Sequence, residues 1–271
     1  MSQRTQTAYQ DVVDLEQFPI HELDSERGRQ FVRECGKQLA TEGVCVLTGF
    51  VTAGAVAEMV GVAEELADKA WTSDQTHTVY FEPVDTSVAA AHPRAHTVRS
   101  AKHGIAYDYI PAEAPLRRLY ESDDLTRFIA AVLQKPVLYR SADPLDALQV
   151  TTFRAGNELG WHFDRSEFSV TVMYQQAESG GDFVYVPGLR SGEDENYAGV
   201  QQVLHGDTTD LRVLPSAPGT LALFKGQHAL HRVTPIAGAT PRVNSVLTYG
   251  ERPDMKLNDL TSQLFYGRTS S

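Results

Sequence analysis

From about Pro136 onward the chain reads as a succession of short β-rich segments with no helical pattern between them. "VLYRS", "ALQVTTFR", "FSVTVMYQ", "DFVYVPG", "VQQVL", "LRVLP", "GTLALFK", "HRVTPI" and "RVNSVLTYG" follow one another, separated by turn compositions such as "ESGGDF" and "SAPGTL". Strands joined without crossover helices pair antiparallel and must bury one face, which restricts the chain to a sandwich or a barrel. The expected core is therefore an antiparallel β-sandwich of jelly-roll type.

Helices are expected only ahead of it. "SERGRQFVRECGKQLATEG" places Phe31, Val32, Cys35 and Leu39 at helical spacing, from Ser25 to a stop at Gly43. "VCVLTGF" reads as a buried strand, and Thr52 can cap a second helix with Val56, Met59, Val60, Ala63 and Leu66 on one stripe. "ESDDLTRFIAAVLQK" is a further helix, capped by Ser122 with two aspartates in its first turn. The first 24 residues are polar and read as a loosely held arm. Residues 72–110 read as loop, with a short strand near "HTVYFE". Residues 1–135 would thus supply an arm, helical support and a loop over the substrate, and residues 136–271 the jelly-roll core, as one integrated domain.

Composition narrows the partners. A net charge of -11 disfavours nucleic acid or an anionic membrane, which need a positive footprint. No run approaches a membrane span and "MSQRTQTAYQDVVD" has no apolar leader segment, so the expectation is a cytoplasmic, soluble protein. Cys35 and Cys45 sit in apolar contexts without metal-type spacing and read as buried free thiols. Oligomeric state is not legible.

The chemistry concentrates in "LGWHFDRSEFSVTVMYQ". His162 and Asp164 are two apart, so on a strand they aim at one point. "FKGQHALHRVTPIAGATPR" offers His228 or His231 as a third ligand. Two histidines and a carboxylate leave coordination positions open and suit Fe(II), although zinc hydrolases use the same ligand types. Arg242 begins the next strand, where its guanidinium fork could take a carboxylate bidentately. Of His77, His92, His96 and His103, none matches a metal spacing.

"WHFD", "LHRVTPIAGATPR" and "GTLALF" resemble the Fe(II)/2-oxoglutarate-dependent oxygenases, whose double-stranded β-helix (cupin-like) core carries an HxD…H triad followed by an arginine. The resemblance implies that His162, Asp164 and His231 are iron ligands, that Arg242 holds the distal carboxylate of 2-oxoglutarate, and that O2 is consumed. Phe153 stands where many of these enzymes use a tyrosine for 2-oxoglutarate, leaving Thr152 and Thr171 as further contacts. Over nearly the whole chain, "LYESDDLTRFIAAVL", "GWHFDRSEFSVTV", "ESGGDFVYVPGLR", "LHRVTPIAG" and "FYGR" are similar to the free amino-acid halogenases and hydroxylases of lysine-halogenase type. Those halogenases carry glycine where this chain has Asp164, so hydroxylation, desaturation or oxidative ring closure such as cyclopropane formation is implied instead of halogenation. The implied route is hydrogen abstraction by an Fe(IV)-oxo oxidant, and the implied setting is specialised metabolism, antibiotic biosynthesis included.

The same resemblance places Arg99 and Asn244 at the substrate, Arg99 pairing with its carboxylate. Lysine-acting relatives have an acid directly after the HxD/HxG element, where this chain has Arg165; turned inward it would favour an anionic or nitro-like substrate end, turned outward it is a surface residue. Asp143 and Asp146 could approach a substrate amine, turn roles being commoner. Trp161 reads as packing. The competing expectations are a cupin-like metal-dependent hydrolase or isomerase, and a non-catalytic metal-binding sandwich, in both of which Arg242 is structural.

Overall fold

The computed structural model describes residues 8–269. In chain order its elements are α1 (Glu26–Glu42), β1 (Val44–Leu47), α2 (Ala53–Glu65), β2 (Trp71–Thr78), β3 (Thr97–Ile105), α3 (Pro115–Tyr120), α4 (Asp123–Val132), β4 (Tyr139–Arg140), β5 (Leu148–Phe153), β6 (Glu158–His162) and β7 (Ser169–Gln175). There follow β8 (Ser179–Gly180), β9 (Phe183–Val186), α5 (Tyr197–Leu204), β10 (Arg212–Val213), β11 (Leu221–Phe224), β12 (Leu230–Val233), β13 (Ile236–Ala237), β14 (Arg242–Leu247), β15 (Tyr249–Gly250) and α6 (Asp259–Tyr266).

The helical expectations hold where capping chemistry is local. The side chains of Ser25, Thr52 and Ser122 accept the backbone N–H of Gly28, Ala55 and Leu125, and Gly43 ends α1 at φ 74°. "VQQVL", expected as a strand, lies in α5 instead. Asn196 caps that helix through the N–H of Gly199, and Val200 and Val203 face inward together at a spacing of three, which fits the helical repeat and not a strand's alternation.

Eleven strands form one curled antiparallel sheet in the order β1-β11-β7-β14-β5-β3-β6-β12-β9-β10, with β2 alongside β3. The sheet folds on itself at β3, which pairs with β5 through His103–Ile105 and with β6 through Ser100–Ala101. Gly160 allows that close passage, since a Cβ there would stand 2.6 Å from the carbonyl oxygen of Arg99. Residues 72–110 are thus more ordered than their composition indicates: β2 and β3 make an eight-pair hairpin whose two strands belong to the main sheet. The jelly roll does not begin at residue 136, because β1 and β3 are among its strands.

One half of the folded sheet (β11, β7, β14, β5) packs its outer face on the N-terminal helices. Val170, Val172, Val243, Leu247, Leu148 and Val150 join Leu39, Met59, Leu125 and Phe128 in the main core. Each such side chain, fully buried, contributes about 1.5–3 kcal/mol. The N-terminal segment is part of this core rather than a loose arm, as Tyr9, Val12, Val13, Phe18 and Ile20 are buried in it; residues 1–7 lie outside the described residues. Strand alternation then turns Gln149, Thr151 and Phe153 of β5, and Arg242 and Asn244 of β14, toward the space between the two halves. Cys35 and Cys45 are buried and free.

Candidate metal centre

β6 and β12 are neighbours with His162 and His231 in direct register, which sets the two imidazole centroids 4.0 Å apart with the rings tilted by 53°. Asp164 follows β6, where its N–H donates to the carbonyl of Gly226 at 3.1 Å. One donor atom from each of the three residues lies within 4.8 Å of the others. His162 Nδ1 faces the carbonyl of Gly160 at 2.8 Å and His231 Nδ1 that of Ala229 at 2.9 Å. Both rings therefore carry their proton on Nδ1 and present bare Nε2 atoms 3.6 and 3.5 Å from Asp164 Oδ1.

The electrostatics agree with a cation at that point. Burial, then the neighbouring His231, pulls His162 down to about 4, so its ring is neutral near pH 7. Burial opposes ionisation of Asp164, and the carboxyl is held below the ordinary carboxylate range only by positive charge at His231 and His162, which a cation on their bare Nε2 atoms would supply instead. Asp164 Oδ2 is buried with no hydrogen-bond partner, a costly state that a metal ion would relieve. Neutral imidazoles with a carboxylate and open positions are the donor set of non-haem Fe(II).

Arg242 heads β14 opposite Phe153, whose ring lies 5.5 Å from the guanidinium carbon. It is 7% exposed, donates from Nη1 to Asn244, leaves Nε without a partner, and forms no ion pair among the described residues. Burial lowers it to about 10, with only Asp182 opposing. A buried guanidinium without a carboxylate fits an anionic cosubstrate.

Other expected site residues are distributed unevenly. Asn244 is brought beside Arg242, and Thr171, in register with Val246, points to the same side of the sheet. Thr152 pairs with Val243 and shares its helix-packed face, so the interior threonine is Thr151. Arg99 is turned away from the centre: it is committed to Asp74 at 2.9 and 2.8 Å and to the carbonyl of Gly156. Asp143 is a turn residue, accepting from the N–H groups of Leu145, Asp146 and Leu257. Trp161 packs outward beneath Arg232, as expected. His228 keeps a buried Nδ1 without a partner and lies outside the triad.

Arg165 is exposed and donates to the carbonyl of Phe81 at 2.6 Å. Phe81, at φ 53°, sets its ring 5.3 Å from that of His162 and 4.2 Å from that of His77. A bulky residue at positive φ is strained, and Arg165 is one of the groups holding it. Arg165→Ala should leave metal and 2-oxoglutarate binding unchanged and raise the substrate KM by less than about tenfold, since such a bond contributes about 0.5–1.5 kcal/mol. A weakened metal affinity in that variant would show instead that Arg165 acts on the ligand set. His77, whose Nε2 meets Ser100 Oγ at 2.6 Å, and Lys102 are near this centre without having been expected there. The strand expected near "HTVYFE" overlaps β2 only at His77–Thr78, and β3 carries no strand pattern that points to Lys102.

Fold and site together define an Fe(II)/2-oxoglutarate-dependent oxygenase, with O2 as its oxidant. Among solved structures the chain is similar to a 2OG-Fe(II) oxygenase-family oxidoreductase from Burkholderia pseudomallei, at 17% identity over 82% of this chain and 92% of that one, TM-score 0.51. It is also similar to SnoN, the non-haem α-ketoglutarate-dependent epimerase of nogalamycin biosynthesis, at 15% identity over 82% and 83%, TM-score 0.55. AviO1 from Streptomyces viridochromogenes Tue57 matches at 16% identity over 83% and 97%, TM-score 0.55. No curated protein matches by sequence. The halogenase D family model matches residues 28–264, and the chain belongs to that family.

Proposed function

We propose that His162, Asp164 and His231 hold Fe(II), that Arg242 with Thr171 anchors 2-oxoglutarate, and that the enzyme oxidises a C–H bond of a free amino acid or a close derivative. The observation that carries the reading is Arg242, a buried guanidinium on the interior face beside the triad that forms no ion pair among the described residues. A metal-dependent hydrolase or a binding sandwich has no use for it.

Bound there, Fe(II) with 2-oxoglutarate and O2 supplies an oxidant able to remove a hydrogen atom from an unactivated carbon. The chain's own residues do the rest. The Nδ1 bonds to Gly160 and Ala229 fix both imidazoles, and Phe81, Phe183 and Phe224 surround them with apolar rings that exclude water. Asp164 keeps the position that halogenases of this type leave to chloride, which favours hydroxylation, desaturation or ring closure over halogenation.

Mn(II) with 2-oxoglutarate should raise the melting temperature of the protein. At about 100 Kd of ligand the gain is about 2.7 kcal/mol, a rise of roughly 5–10 °C. No rise with 2-oxoglutarate would sink the proposal. In a 2-oxoglutarate consumption screen over free amino acids in chloride buffer, the product should gain an oxygen atom or lose a pair of hydrogens and carry no chlorine.

A further inference from the structure

The interior holds a second polar cluster that neither the metal nor 2-oxoglutarate employs. Lys102 on β3 donates from Nζ to Gln149 Oε1 at 3.2 Å, and the same oxygen accepts from Thr151 Oγ1 at 3.0 Å. Asp146, just ahead of β5, accepts from the Tyr266 hydroxyl at 2.6 Å and from Thr248 Oγ1 at 3.2 Å. α6 supplies Tyr266 and also brings the Phe265 ring to 5.7 Å from Lys102 Nζ.

An ammonium has three donors, and Lys102 uses one among the described residues, on a neutral amide and with no ion pair. Burial lowers its basicity, while Asp146 and Asp164 both oppose that effect, so Lys102 stands within electrostatic reach of the metal triad and of Asp146. Burial also pushes the Asp146 carboxyl up to about 6, against its bonds from Tyr266 and Thr248. Lys102 and Asp146 meet adjacent residues of one helix, Phe265 and Tyr266, without pairing to each other, an arrangement that is costly for two half-buried charges unless a ligand completes both. A zwitterion does so, because an α-amino acid carries a carboxylate and an ammonium on one carbon.

We infer that Lys102 and Asp146 recognise the α-carboxylate and α-ammonium of the substrate, with Gln149 positioning the lysine. The inference rests on the amino-acid reading of the proposed function and replaces Arg99, which is committed to Asp74, as the carboxylate anchor.

The test is anaerobic thermal shift on Mn(II)- and 2-oxoglutarate-loaded protein, with the proteinogenic L-amino acids and L-norleucine as probes. The best probe is then compared with its α-carboxamide and its N-acetyl derivative. The expected result is a shift with the free amino acid, lost with either derivative. Lys102→Met should weaken binding of the free amino acid by about 10- to 100-fold and keep the 2-oxoglutarate shift, with Lys102→Arg recovering part of the affinity. The inference is overturned if the carboxamide binds as well as the acid, if Lys102→Met retains full affinity, or if that variant loses the 2-oxoglutarate shift, which would assign the lysine to the cosubstrate. The derivatives probe the wild-type protein, so the outcome stands even if a variant fails to fold. Absence of any amino-acid shift alongside an intact 2-oxoglutarate shift overturns the zwitterion site alone; absence of both overturns the proposed function.

Discussion

Arg242→Met should abolish the 2-oxoglutarate-induced rise in melting temperature while leaving the ligand-free protein as stable as wild type, or more so. The two signs have one cause. In the free protein the guanidinium is buried against Phe153 and Asn244 with no carboxylate, so an apolar chain of similar length removes a desolvated charge and costs little. In the complex the same change strands the cosubstrate's distal carboxylate in an apolar place. Breaking a buried pair from one side costs about 3–5 kcal/mol, so the Kd for 2-oxoglutarate should rise by about 10² to 4 × 10³-fold. A calorimetric or thermal titration with Mn(II) present measures it. Equal affinities would refute the anchor, and a large loss of ligand-free stability would mean that Arg242 is structural.

Gly226→Ala should disable the metal site without altering any ligand. A Cβ at this glycine would lie 1.8 Å from Asp164 Oδ2, and the Asp164 N–H is tied to the Gly226 carbonyl, so the carboxylate and not the backbone must move. Displacements of about 1 Å at a reacting centre cost on the order of 10²-fold in rate. Turnover should fall at least that far, with weakened Mn(II) binding and the fold retained by circular dichroism. Wild-type Mn(II) affinity in this variant would show that Asp164 is held in some other way. Asp164→Ala provides the reference for complete loss of the carboxylate.

What the sequence disclosed and what it withheld have physical reasons. His162 and Asp164 could be paired because a strand repeats every two residues, while the choice of His231 over His228 and the part given to Arg242 came from the family resemblance. The caps of α1, α2 and α4 were legible because a serine or threonine bonds its own helix. β2 and β3 were not, because the buried residues of β2 are Ser73 and Thr78, burial along β3 does not alternate, and the two strands pair with each other across an 18-residue excursion. His77 lies at the start of the strand expected at "HTVYFE" but matches no metal spacing, whereas Lys102 was hidden because β3 gives no strand pattern. Arg99 was misplaced for the same reason, since a residue's face is defined only once its strand is. Asp143 and Asp146 were inseparable by composition; only the fold shows one closing a turn and the other exposed to the interior cluster. α5 is only eight residues long, and its inward Val200 and Val203, three apart, carry the helical repeat over too short a run to stand out among the neighbouring strands.

The folding of the sheet about β3 also has a consequence for how the protein is made. β3 leaves the ribosome well before β5, β6 or β14, and until they appear the pairing open to it is the local hairpin with β2. That hairpin must wait with one edge bare while its later neighbours are synthesised, and the triad is incomplete until β12 has docked beside β6. β14, bearing Arg242, inserts between β5 and β7 after both exist. Pairings between strands so distant in the chain form slowly. The proposed cosubstrate anchor therefore lies on the later strand, and all three proposed iron ligands are synthesised before it.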